Sequence, residues 1–136
     1  YRMGRIDIIR TKIETFLVNN NDDDVNNSII QLLKSETITV RESAADICGQ
    51  KKLYQATEFL ITALKQETNP HVARSCMTAL TRLQAYDAVP VIFEWMEHNR
   101  DKWGKQAVSA SLKSIALAAL KELDNENSYY EKLILL

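Results

Sequence analysis

A chain of 136 residues with 46% hydrophobic and 26% charged side chains has the usage of one ordinary folded domain, which excludes disordered and fibrous classes. Three glycines and two prolines are too few turn residues for an all-β fold of this length, so helices are favoured before any pattern is read. The formal net charge is −1 and no run of Lys or Arg occurs, so the concentrated positive surface needed to neutralise phosphates is missing and nucleic acid is not expected as a partner.

In chain order, Ile6, Ile9, Ile13, Phe16 and Leu17 recur at helical spacing and predict a first helix over residues 2–18, with Arg5, Arg10, Lys12 and Glu14 on its back. Residues 19–24, three asparagines and three aspartates, have nothing to bury and read as a loop whose last acid, Asp24, caps the next helix. The three acids lack the alternating ligands, the Gly and the terminal Glu of a calcium loop, so capping outweighs metal binding. Val25, Ile29, Ile30, Leu32 and Leu33 mark a second helix ending near Ser35, and Val40, Ala44, Ala45, Ile47 and Cys48 a third. Gly49 is expected at its end, where a left-handed residue closes a helix. A fourth helix turns Leu53, Ala56, Phe59, Leu60, Ala63 and Leu64 inward and stops before Asn69 and Pro70.

The fifth helix carries Val72, Cys76, Ala79, Leu80 and Leu83. The sixth carries Val91, Ile92, Phe93, Trp95 and Met96, with Pro90 in its first turn behind a capping Asp87. After a longer loop over residues 99–104, a seventh helix is expected from about Lys105 to Leu123 on Val108, Leu112, Ile115, Ala116, Ala119 and Leu120, and an eighth over 129–136. The start at Tyr1 and the apolar end at Leu136 lead one to expect a piece of a longer chain, with membrane tethering through flanking sequence left open. No apolar run approaches the roughly 18 residues that cross a bilayer, and the two cysteines cannot form a secreted disulfide framework, so a reducing, cytoplasmic setting is expected.

Residues 39–98 are one unit written twice. A shift of 32 residues puts Val40 on Val72, Ala44 on Cys76, Cys48 on Leu80, Tyr54 on Tyr86, Ala56 on Ala88 and Leu60 on Ile92. A hairpin of two amphipathic helices cannot cover its own apolar face and must stack on its neighbours, with small side chains where the helices approach. The stretches 40–49, 60–65 and 70–72, together with Ala88, Val89 and Pro90 at the start of a second helix, resemble the short HEAT-like repeats of the phycobilisome-lyase type. Ala73 and Thr81 stand where that pattern has Arg and Gly. The resemblance implies an all-α, right-handed α-α superhelix of about four hairpins, a single domain over 1–136. Tetratricopeptide and armadillo repeats fit less well.

Function is less legible. The iron-binding His-Glu steps of the related deoxyhypusine hydroxylases are missing, since His71 and His98 are the only histidines and neither precedes Glu. The basic aromatic groove of HEAT-like alkylpurine glycosylases is not there either, because Asp87, Glu94, Glu97 and Asp101 outnumber Arg100. His71, His98, Cys48 and Cys76 as zinc ligands are outweighed by buried thiols, and the pair Glu94 and Glu97 by a solvated acidic face. No catalytic, cofactor or metal site is therefore assigned. The resemblance implies a concave side lined by the second helix of each hairpin. Its non-core positions, Asn27, Gln31, Lys34, Glu58, Thr62, Lys65, Glu94, Glu97 and His98, form the expected contact ribbon for a protein or peptide carrying basic residues. Trp103 joins this set as a loop aromatic of the kind enriched at interfaces, whereas Trp95, aligned with Ala63, is expected in the core. A subunit of a phycobilin-lyase-like enzyme, or a nucleic-acid-binding relative, is the alternative.

Overall fold

The computed structural model describes residues 5–103 and 107–136. Its helices are α1 (Arg5–Asn19), α2 (Asp23–Gln31) continued by a 3-10 turn at Leu32–Lys34, α3 (Ile38–Gln50), α4 (Thr57–Gln66), α5 (Pro70–Arg82), α6 (Val89–His98), α7 (Arg100–Trp103), α8 (Ala107–Leu123) and α9 (Ser128–Ile134). They pack in two rows: α1, α3, α5 and α8 touch in succession, as do the end of α2, α4, α6 and α9. Each hairpin thus leans on the next, and the pairs advance in one direction, which is the all-α solenoid expected from the repeat.

The most extensive pairing is α3 on α5. It is made by small side chains: Ala44, Ala45 and Cys48 of α3 and Ala73, Cys76 and Ala79 of α5 are at most 2% exposed. Gly49 belongs to this contact. It is buried inside α3, and a Cβ added to it would lie 2.9 Å from the Cα of Ala79. The expectation that Gly49 takes a positive φ is therefore corrected, because its missing side chain admits a neighbouring backbone.

The left-handed position falls three residues later, on Lys52 (φ 52), and one repeat on, at Gln84 (φ 54). Both helices close by the same pair of bonds. Lys52 N–H donates to Gly49 O (3.1 Å) and Leu53 N–H to Cys48 O (3.0 Å); Gln84 N–H donates to Thr81 O (3.1 Å) and Ala85 N–H to Leu80 O (3.0 Å). These are Schellman closures with a non-glycine residue in the left-handed place. Each is followed by a 3-10 turn, Tyr54–Ala56 and Tyr86–Ala88, that aims the chain into the second helix.

Helix starts follow the sequence in part. Asn69 caps α5 by accepting from His71 N–H and Val72 N–H, with Pro70 in the first turn. Asp22 rather than Asp24 caps α2, since only Asp22 has extended backbone from which its carboxylate reaches Asp24 N–H at 2.8 Å. Asp87 caps nothing, because it lies within the 3-10 turn that leads directly into α6. The loop expected over 99–104 contains α7, drawn in by Trp103. Gly104, Lys105 and the side chain of Val108 lie outside the described residues.

Two apolar expectations are corrected. Phe59 is 41% exposed instead of buried, its inward place on α4 being taken by Ile61 at 6%. In α1 the apolar stripe is present but half open, with Ile9, Ile13 and Phe16 at 50, 53 and 61% exposure.

Candidate protein-interaction face

Every expected contact residue on the second-helix row is exposed: Asn27 and Gln31 on α2, Lys34 just beyond it, Glu58, Thr62 and Lys65 on α4, and Glu94, Glu97 and His98 on α6. The structure gathers some of them into two clefts. The first, about 680 Å³, lies between the end of α2 and α4 and is lined by Ile30, Leu33, Lys34, Phe59, Thr62, Ala63 and Gln66. The second, about 380 Å³, lies between α4 and α6 and is lined by Leu64, Lys65, Val91, Glu94, Trp95, His98 and Asn99. The two are one site repeated: Phe59, Thr62, Ala63 and Gln66 recur 32 residues on as Val91, Glu94, Trp95 and His98. Asn27, Gln31, Glu58 and Glu97 line neither cleft.

Arg41 and Glu67 close the inner end of the first cleft. The guanidinium Nε and Nη2 meet the two carboxylate oxygens at 3.0 and 3.1 Å, and Nη1 donates to Ser35 O at 2.9 Å and Glu36 O at 3.2 Å. One carboxylate oxygen also accepts from Thr68 N–H (3.1 Å) and Asn69 N–H (3.0 Å), fixing the turn before α5. Hydrogen bonding to Glu67 raises the Arg41 pKa above its ordinary value, and the two-point contact sets the two opposite charges against each other. One repeat on from Arg41 stands Ala73, and the pair does not recur. Its place as a tie between hairpins is taken by the Trp95 indole donating to Glu67 O (2.8 Å) and Lys102 Nζ donating to Thr68 O (2.7 Å).

Lys34 is then the charge left over in the first cleft. Its ammonium sits 5.9 Å from the centroid of Phe59, a weak cation-π contact. Phe59 was missed as a surface residue because periodicity alone placed it inward. The sequence did hold a hint, since its counterparts one repeat either side are Asn27 and Val91, a position with no fixed apolar demand.

Trp95 is buried at 4% exposure, as expected. Trp103 is also buried at 4%, its indole donating to Met96 O at 2.7 Å, with Lys113 over the ring at 5.5 Å. It therefore leaves the contact set: its N–H finds a partner inside the fold, and the ring fills the gap between α6 and α8.

Burial pushes both the Cys48 and Cys76 thiols up to about 12, which makes them inert packing groups at neutral pH. The four imagined zinc ligands do not converge: among the described residues no three His, Cys, Asp or Glu side chains are grouped to hold a metal ion. No helix among them is long and apolar enough to cross a membrane.

A family model described as HEAT repeats matches residues 26–113. Neither a curated protein nor a solved structure matches the chain. The phycobilisome-lyase type of repeat is not singled out by that match, which rests on the general pattern. With paired helices advancing in two rows and the match extending over well over half its length, the chain belongs to the HEAT-repeat family.

Proposed function

We propose that this protein is a non-enzymatic scaffold that holds a protein or peptide against the exposed face of the row α2, α4, α6. The observation that carries this reading is the doubled cleft: Lys34, Thr62, Lys65, Glu94 and His98 are brought by the fold into two hollows one repeat apart. Lys34, Lys65, Glu94 and Glu97 form no ion pair among the described residues, so their charges are available to a partner. HEAT repeats generally serve protein contacts, which agrees with this assignment. Basic residues of the partner fit the α6 side, where Glu94 and Glu97 stand together. The inert cysteines suit a reducing, cytoplasmic setting.

Placing a photo-crosslinking benzoylphenylalanine at Thr62, or at Thr78 on α5 as a control from the other row, tests the face directly in cells. Crosslinks to a partner from position 62 and none from 78 are expected. The opposite distribution would remove the face from consideration.

A further inference from the structure

Resting on that reading of the face, the geometry points to a partner segment of extended chain that carries one acidic and one basic side chain about three residues apart, the acid entering the first cleft and the base the second. The first cleft has apolar walls in Ile30, Leu33 and Phe59 and hydrogen-bonding groups in Thr62 and Gln66, and among its described lining residues the unmatched charge is Lys34, because Arg41 and Glu67 cancel each other. A carboxylate with an apolar stem is the group that neutralises it without leaving a charge unpaired. Along the row the sign then changes. Within the second cleft Lys65 stands on the α4 wall and Glu94 on the α6 wall, with His98 beside Glu94 and Glu97 exposed one turn on, outside the cleft, so the acidic side of the row is α6. A Lys or Arg reaching the α6 wall meets acids, and one reaching the α2 side meets Lys34.

Spacing follows from helix packing. Both clefts share α4, so their centres are offset by one interhelix distance, about 10 Å, which extended chain covers in about three residues. A helical segment would need roughly twice as many residues for the same span. The clefts therefore select for spacing as well as sign, and a sequence with both charges adjacent reaches only one of them.

Panning a display library of random linear dodecapeptides on this chain, then measuring labelled winners by fluorescence anisotropy, tests the assignment. Winners with an acid and a base three apart are expected. Lys34→Glu should weaken them about tenfold, and changing the peptide's acid to Arg should restore binding to that variant; Glu94→Lys should show the converse rescue with the base changed to Glu. Both substitutions are at exposed positions, and circular dichroism melts check that each variant folds. Winners that lose binding to Thr62→Trp but ignore both charge reversals would overturn this inference and leave the face as the binding surface. Winners indifferent to all three variants, or no winners, would overturn the face together with the inference.

Discussion

Helices α1 and α5 hold the same rank in their hairpins, yet one is half open and the other sealed. In α5, Val72, Ala73, Cys76, Met77, Ala79 and Leu80 are at most 2% exposed; in α1, Ile8, Ile9, Ile13 and Phe16 are 44 to 61% exposed. Both carry an apolar stripe at helical spacing, sharper in α5 than in α1. Their company differs as well: α5 lies between α3 and α8, whereas α1 makes its main contact with α3 alone among the described elements. An amphipathic helix does not bury itself, and in a stack the burial of each first helix is supplied by neighbours on two sides.

Helix α1 is instead fastened by polar groups. Arg10 Nε donates to Glu14 (2.8 Å) and Ser43 (3.1 Å), the Ser43 hydroxyl donates to Glu14 (2.8 Å), and Lys51 Nζ donates to Leu17 O (2.7 Å) and to Asn20 O. Such half-open polar contacts at the surface each contribute little. An apolar groove of about 310 Å³, lined by Ile9, Ile13, Leu17, Ile29, Val40 and Ile47 among others, remains between α1 and the helices behind it.

The contrast can be broken by substitution. Leu80→Ala removes a fully buried side chain from the α5 side and is expected to cost about 4 kcal/mol in urea unfolding; a loss below about 1 kcal/mol would show that the centre of the stack is as loose as its α1 end. Arg41→Ala leaves the Glu67 carboxylate, 5% exposed, without its partner and should cost about 3 kcal/mol, with Arg41→Lys failing to restore the two-point contact. Gly49→Ala drives a methyl against the Ala79 backbone, and a loss of about 2 kcal/mol is expected where a surface Gly→Ala in a helix would stabilise.

Asp46 gives a smaller effect of the opposite sign. Burial raises its pKa above the ordinary 3.8, with Glu42 and Glu14 adding to the rise, while a hydrogen bond from Ser75 and the charge of Arg74 pull it down. The folded chain thus holds this proton more tightly than the unfolded one. Stability from this group is complete below the unfolded value and is lost as pH rises through the folded one. Asp46→Asn should therefore raise Tm at pH 7, and the gain should vanish by about pH 3; an equal gain at both would mean that its charge is irrelevant. At the bottom of the scale, Phe16→Ser, at 61% exposure, should change stability by no more than about 0.5 kcal/mol. A larger loss would show that α1 is covered in solution by something further.

Residues 39–98 announced their architecture because each constraint there is local or repeats: the alanines at the helix crossing, Asn69 and Pro70 at a helix start, and Tyr54 and Tyr86 one period apart. Errors arose where the deciding contact is a tertiary one that no local period encodes. Gly49 looks like a helix stop until Ala79 is set against it, thirty residues away. Trp103 looks like a surface aromatic until the Met96 carbonyl is found under its indole. The second-helix positions were readable as exposed, but their division between two hollows needed Phe59 to turn outward and Arg41 to reach Glu67, and neither is written in a periodicity.

Glu67 has one further implication. Its carboxylate grips α3 and its own turn, while its carbonyl is held by the indole of α6. A spiral made of stacked pairs bends like a spring, and here one pair is clamped to the next at a single residue. Flexing of the molecule should therefore concentrate on either side of this rivet, and the amides of Thr68 and Asn69, although in a loop, should exchange with solvent as slowly as those of the helices they join.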